Sequence, residues 1–499
     1  MRTALQASSS SLRGVSLWLA ATDVSNFSKY NGRAAGDSQR PISFAATTSL
    51  RALPWAATVT DGNTASGGHK VRDAALHILT RVEHGRRSDR SLDEVLGRKR
   101  MPARDRALCT EIVYGVLRRQ RTLDRTLRPF CRRPLAKLDA PVRVALRIAL
   151  YQCAYLDSVP PHAAVHRTVE ALKRQRPRAT GLANAVLRAW LRAGGEIDAG
   201  SDSSADHYDL PDWLAVRWES RSAAKWLAAT LAPPVAFLRA SSEEGLAQTI
   251  GRLTEDGGEA VPGLRVARSV RLGSLDRRTL SEVIADGLAV PRSEAAQMVT
   301  ELMGQGPGTI LDACSGRGGK GRQLAEEGSR VLCLDSHSER LSDARTLARR
   351  TGATGLDWVR CDLGRDLPVS TRFSRILVDV PCSGLGTIRR HPEIKWRTSE
   401  EGLAALADTQ RAILSNTLQV LDATGELLYV TCSTEPEENE EVVESALSAD
   451  PTIARKPFEV APDGCSVDVV GDLRTFPLDP DLDGFYVARL TRLAAQAPC

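Results

Sequence analysis

Asp379 and Cys382 close an apolar run, "RILVDVPCSG", where a β-branched stretch gives way to a Pro-Cys-Ser-Gly turn. Cys432 closes a second run of the same kind, "GELLYVTCS". A thiol becomes a nucleophile once deprotonated, and it can add to an electrophilic ring carbon. Cytosine and uracil need such help, because their carbon 5 is a poor nucleophile until a thiolate adds at carbon 6 and makes an enamine. A carboxylate at Asp379 suits the exocyclic amine and ring nitrogen of cytosine. A single cysteine in such a place is most often a packing residue; two, with an acid, at neighbouring strand ends point to covalent chemistry on a pyrimidine.

A second constellation precedes these. In "LDACSGRGGKG", Leu311–Gly321, three glycines follow a strand and let the backbone approach a ligand closely. Asp335 ends the next strand, about 20 residues on, where an acid can accept from a ribose hydroxyl. Asp362 and Asp379 end the two strands after that. Acids at successive strand ends fit a nucleoside cofactor. The GxxxxGK[ST] signature of triphosphate binders is absent.

The elements that must position these residues alternate strand and helix from about residue 290 to 493. "GTILDAC", "RVLCLD", "LDWVRCD", "RILVDVP" and "GELLYVTCS" read as strands, with helical patterns between them. That pattern predicts a doubly wound, Rossmann-like α/β domain with ligands beyond the carboxyl ends of its strands. Residues 209–289 read as a small α+β module, in which "VAFLRAS" and "LRVARSVRL" are each expected to be a strand. Residues 71–195 read as helices throughout, a compact all-α bundle. Val71, Ala74, Ala75, Ile78, Leu79 and Val82 fall on one face of its first helix, and Leu108, Ile112, Val113, Val116 and Leu117 on one face of a later one. Residues 1–70, rich in Ser, Thr, Ala and Gly, have no lasting periodicity. They are expected to be a disordered or misannotated extension, or a transit peptide.

Charge is uneven along the chain. Residues 71–200 carry 27 Lys and Arg against 13 Asp and Glu, while the whole chain is only +6. The basic clusters Arg86–Arg87, Arg98–Lys99–Arg100, Arg118–Arg119, Arg132–Arg133 and Lys173–Arg178 make this block the expected partner of a polyanion, nucleic acid above all. The ten cysteines are scattered and include no CxxC pair, so neither a zinc site nor a disulfide framework is expected, and a reducing, cytoplasmic compartment is. No run of about 18 apolar residues exists, which excludes an ordinary transmembrane helix.

"DACSGRGGK", "DVPCSGLGTIRRHPEIKW" and "YVTCSTEPEENEEVV" closely resemble the bacterial RNA cytosine-5 methyltransferases of the Sun/Fmu kind, the RsmB family. The resemblance extends over roughly 71–493. "ARDRALCTEIVYGVLRR", "PPHAAVHRTVEALKR" and "NAVLRAWLR" look like that family's NusB-like RNA-binding domain, and "RTFPLDPDLDGFYVARLTR" like its closing motif. The resemblance implies S-adenosylmethionine as cofactor and RNA as partner, with 16S ribosomal RNA as substrate; a monomer that holds no metal is expected. It puts the cofactor loop on Cys314, Ser315, Gly316, Arg317, Gly318, Gly319 and Lys320, the ribose acid on Asp335, the adenine-side acid on Asp362 and the base-orienting acid on Asp379. The residues alone leave either thiol as nucleophile, since DNA enzymes of related chemistry use the Pro-Cys thiol. The Thr-Cys-Ser turn of the RNA family implies that Cys432 attacks and Cys382 assists release. The chain departs from the family at Ser315-Gly316-Arg317, where Ala-Ala-Pro is usual, at Gly321, where Thr is usual, and at "RASSEE", where Arg-Val-Asn is usual. The alternatives are the same chemistry on transfer RNA or 23S ribosomal RNA, and a non-catalytic ribosomal RNA-binding or assembly factor.

Overall fold

The computed structural model describes residues 67–493, apart from 99–100, 222, 256, 305, 307, 366, 368, 370 and 480. Residues 1–66, Lys99, Arg100 and Cys499, for which the sequence raised expectations, lie outside the described residues. The chain forms two compact units that part near residue 200.

The first unit is helical. Helices run over Gly67–Glu83, Ser88–Arg98, Ala103–Arg118, Gln120–Leu127, Ala140–Tyr155, Pro161–Gln175 and Thr180–Arg192. Both apolar faces expected from periodicity are buried, from Val71 to Val82 and from Leu108 to Leu117. Pro141 and Pro161 sit in the first turns of their helices, where the missing N–H costs nothing. Gly115 lets two helices close up, since a Cβ there would lie 1.9 Å from the Tyr151 ring.

Not all of the basic charge faces outward. Arg147 is buried and clamped by Asp124 and Glu83, each at 2.6 Å, and Glu83 also takes Arg143 at 2.6 Å. Arg118, one of the expected surface pair, is likewise buried and lies 5.6 Å from the centre of the Tyr114 ring. Helical periodicity puts it on the inward side, where its stem packs and aromatic and acidic neighbours meet its head. Arg132, Arg133, Lys137, Lys173, Arg174, Arg176 and Arg178 are exposed.

The second unit holds two sheets. β1 (Ala236–Ala240), β2 (Ala260–Pro262), β3 (Ser269–Leu272) and β4 (Ala289–Pro291) form an antiparallel sheet in the order β2-β3-β1-β4. The single strand expected from "LRVARSVRL" is only half realised. Arg268 takes φ of 64°, its carbonyl accepts from the Ala240 N–H, and the chain before it is a turn. An alternating apolar pattern does not report such a break.

The larger sheet runs β11-β12-β13-β9-β8-β5-β6-β7, with β10 (Ile453–Arg455) added on β13. Its parallel core is β5 (Thr309–Asp312), β6 (Arg330–Asp335), β7 (Leu356–Arg360), β8 (Phe373–Asp379) and β9 (Leu421–Thr431). β11 (Ser466–Val467), β12 (Leu473–Arg474) and β13 (Tyr486–Arg492) extend it antiparallel. β5 lies between β6 and β8, so connections leave it in opposite directions, and a crevice opens at such a point beyond the strand ends. Leu311, Ile376, Val378, Leu427 and Tyr429 are fully buried in the sheet's core. The helices Ser204–His207, Asp212–Glu219 and Ala224–Ala229 pack their tryptophans, Trp218 and Trp226, with Leu385, Ile388, Leu403 and Phe476.

At the end of β5, Asp312 is buried outright, facing the Gly321 amide and the Lys320 and Asp379 charges without a side-chain hydrogen bond. Burial pushes its carboxyl up to about 7, with Lys320 pulling the other way. The folded chain therefore keeps a proton there that an unfolded chain loses near pH 4. That contribution to stability is complete below pH 4 and is lost as pH rises through 7. Asp312→Asn should remove the titration. Its stability advantage over the parent should grow between pH 5 and pH 8, toward about 3 kcal/mol, as read by denaturant melts at fixed salt. Parallel pH profiles would show that Asp312 is ionised throughout.

Candidate active site

The sites expected from sequence fall at the carboxyl ends of β5, β6, β8 and β9. The loop after β5 is shaped by its glycines. Gly316 and Gly318 have φ of 56° and 74°. A Cβ on Gly318 would meet Trp358 at 2.5 Å, and one on Gly319 would meet Arg292 at 2.8 Å. The Ser315 N–H donates to the Leu334 carbonyl at 2.8 Å, which ties the loop to β6.

Asp335 accepts from this loop. Its carboxylate takes the Gly316 N–H at 3.1 Å and the His337 N–H at 2.8 Å, and Arg340 lies at 3.5 Å. The side chain is almost buried. An acid with fixed orientation beside a glycine cradle fits the ribose of a nucleoside cofactor, so the residues present suit such a group. Cys314 is held well above the ordinary thiol range by burial and by Asp379, Asp312 and Asp335, so it behaves as a neutral wall of the site.

Lys320, one residue into the helix Gly319–Glu326, reaches across to pair with Asp379 at the end of β8. Its ammonium also lies 5.7 Å from the centre of the Phe485 ring. The two strand-end thiols meet: Cys382 Sγ and Cys432 Sγ are 3.1 Å apart. No disulfide joins them, and every described cysteine is a free thiol. The Cys382 thiol is pushed well above the ordinary range by its hydrogen bond to Cys432, then by burial.

Two expected residues stand apart. Asp362 is exposed at the turn after β7, where it accepts from the Gly364 N–H at 3.2 Å and pairs with Arg365 at 3.6 Å. Arg317 points to solvent and pairs with Asp343 at 3.5 Å.

Several residues of the site are absent from the sequence reading. Asp312 is one. Arg292, buried against the glycine loop, is held down to about 9 by desolvation and by Arg239, with Asp379 and Asp312 opposing. Glu435, Glu438 and Asn439 are completely buried, although "EPEENEE" looks like a solvated acidic face. Glu435 accepts from Trp218 Nε1 at 2.9 Å and Arg217 Nε at 2.8 Å. Those two residues sit one after another on one short helix, and both lie some two hundred residues upstream, so only a long-range partner search could have found the contact.

Comparison with known proteins gives concordant results. Residues 299–491 match the family model for the 16S rRNA methyltransferase RsmB/F, and residues 69–192 match that for the NusB family. The ribosomal RNA small subunit methyltransferase B of Thermus thermophilus is 34% identical over 437 residues, which cover 85% of this chain and 98% of that protein. The protein of the same name from Pseudomonas putida is 33% identical over 439 residues, covering 85% and 99%. Among solved structures, that of PH0851 aligns with a TM-score of 0.75 at 21% identity, covering 85% of this chain and 99% of that one, which shows a shared fold. A methyltransferase homologue from Pyrococcus horikoshii aligns at 0.50 and 22% identity over 59% of this chain and 100% of that one. No helix among the described residues is long and apolar enough to cross a membrane. With relatives above 30% identity along most of its length, the chain belongs to the ribosomal RNA small subunit methyltransferase B family.

Proposed function

We propose that this protein transfers a methyl group to carbon 5 of a cytosine in 16S ribosomal RNA through a transient bond between Cys432 and carbon 6 of the base. The observation that carries the reading is the pair of thiols 3.1 Å apart beside the Lys320–Asp379 ion pair. S-adenosylmethionine, the methyl donor of the family, supplies an electrophilic methyl group. Asp335 and the Gly316–Gly319 loop hold its nucleoside end. Asp379 accepts from the exocyclic amine of the cytosine.

The thiols take unequal roles. In the resting protein Cys382 is kept protonated chiefly by its hydrogen bond to Cys432. Cys432, once its proton has left to solvent, adds to carbon 6, and the electron pair moves to carbon 5, which takes the methyl group. The Cys432 sulfur is then a neutral thioether. Alkylation of Cys432 removes the largest of the causes that hold the Cys382 proton, while burial, Glu438 and Asp379 still favour the thiol, and that proton then leaves to solvent. As thiolate it takes the carbon 5 proton; the pair left behind re-forms the ring double bond and expels Cys432. One thiol attacks and the other releases.

The thiol assignment has a direct test. Cys432→Ala should abolish methylation with cofactor affinity near normal, so the loss falls on turnover. Cys382→Ala should attack, methylate and stall, leaving a protein–RNA adduct that survives denaturing gels. The double variant should show no adduct. A stable adduct in Cys432→Ala and none in Cys382→Ala would reverse the roles.

Asp335→Ala should weaken S-adenosylmethionine binding by about one to two decades, since a bond to a charged acceptor contributes roughly 1.5–3 kcal/mol. Calorimetry showing unchanged affinity would remove Asp335 from the cofactor site.

The exposed bases of the helical unit are proposed to hold RNA phosphates. Replacing Arg132, Arg133 and Lys137 together by Ala should weaken RNA binding and flatten the slope of log affinity against log salt by roughly two to three. An unaltered slope would place the RNA elsewhere.

A further inference from the structure

Each strand-end turn carries a serine directly after its cysteine, Ser383 after Cys382 and Ser433 after Cys432. Both serines bond to one carboxylate. Glu438 Oε1 accepts the Ser383 backbone N–H at 2.7 Å and Gln410 Nε2 at 3.0 Å. Glu438 Oε2 accepts the Ser383 hydroxyl at 2.5 Å and also the Ser433 hydroxyl. Gln410 in turn donates to the Pro381 carbonyl at 2.9 Å, on the other side of Cys382. The Glu438 side chain is completely buried, and its own backbone carbonyl is held by the Tyr429 hydroxyl at 2.7 Å. Four donors thus converge on a group that water does not reach.

Strand pairing alone does not bring the thiols together. In the parallel register Asp379 faces Val430, so Cys382 lies three residues past its strand partner and Cys432 two. The turns must supply the rest. We infer that Glu438 is a positioning residue for the two-thiol chemistry: its carboxylate fastens both cysteine turns to one point and so sets the separation of Cys382 and Cys432. The inference rests on the proposed function, because a fixed separation matters only if one thiol hands the reaction to the other. A buried carboxylate suits this task because it accepts up to four bonds and can be left unpaired only at high cost. An amide in its place accepts at one atom and donates at the other.

The test uses the full-length protein and two readouts. Phenylarsine oxide binds tightly only where two thiols can bridge one arsenic, so it reports the thiol separation without any RNA. The Cys382→Ala variant gives the background from other cysteines. Glu438→Ala should bind S-adenosylmethionine within about threefold of the parent, because none of the Glu438 bonds touches the glycine loop. It should bind the arsenical at least tenfold more weakly, and in single turnover it should form the RNA adduct but resolve it at least tenfold more slowly. Glu438→Gln should fall between the two proteins in both readouts. If Glu438→Ala cannot hold the cofactor, Ser433→Ala, which removes one bond from the Cys432 side, takes its place and should still weaken the arsenical severalfold. Unchanged arsenical affinity in the soluble, cofactor-binding variants would overturn the inference. A Cys382→Ala variant that gives no RNA adduct, while the arsenical readout of Glu438→Ala shifts as stated, would instead overturn the covalent mechanism and leave the positioning role standing.

Discussion

The parallel pairing of β8 with β9 is the constraint on which the site depends. It runs in register from Ile376 opposite Leu427 to Asp379 opposite Val430, and Ile376, Leu377, Val378, Leu427, Leu428, Tyr429 and Val430 are all buried. A one-residue slip would exchange the two buried faces, Ile376 and Val378 on one and Leu377 on the other, so the register is held by both cores. With register fixed, an acid and a thiol leave β8 beside the thiol that leaves β9. β5 lies on the other side of β8 and delivers the glycine loop and Lys320 to the same edge.

Charge buried at that edge is handled in pairs. Lys320 meets Asp379, Glu438 meets four donors, and Glu435 meets Trp218, Arg217 and Arg221. The acidic segment after Cys432 is therefore structural on two sides. One of its acids joins the thiol turns, and the other joins the Cys432 loop to the helix Asp212–Glu219. The loop Leu385–Thr387 is closed by a different device. The Gly386 N–H donates to the Cys432 carbonyl at 3.0 Å, and the Gly484 N–H donates to the Gly386 carbonyl at 2.7 Å. A Cβ on Gly386 would lie 1.9 Å from the Gly484 carbonyl oxygen, so only glycine allows that approach. Asp312 is the exception to pairing, and its raised carboxyl is the consequence.

Much of the architecture was legible because local pattern and final environment agree. Continuous apolar runs ending in acids, thiols and glycines announced β5, β6, β8 and β9, and helical periodicity announced the buried faces of the first unit. What was hidden depends on partners distant in the chain. Glu435 and Glu438 look like surface acids until Trp218, Arg217 and Gln410 are brought against them. Arg118 and Arg147 count toward a basic surface until Tyr114, Glu83 and Asp124 draw them inside. Asp362 occupies the expected strand end yet faces solvent, since a position at a strand end does not say which way the following turn aims its side chain.

The central claim is that the two thiols serve cytosine-5 methylation of small-subunit ribosomal RNA. Bisulfite sequencing of 16S ribosomal RNA reads it most directly, because 5-methylcytosine resists conversion where cytosine does not. RNA from a strain lacking this protein should lose protection at a single cytosine, and the parent gene should restore it. Full conversion at every cytosine in the parent strain, or protection that persists without the protein, would contradict the account.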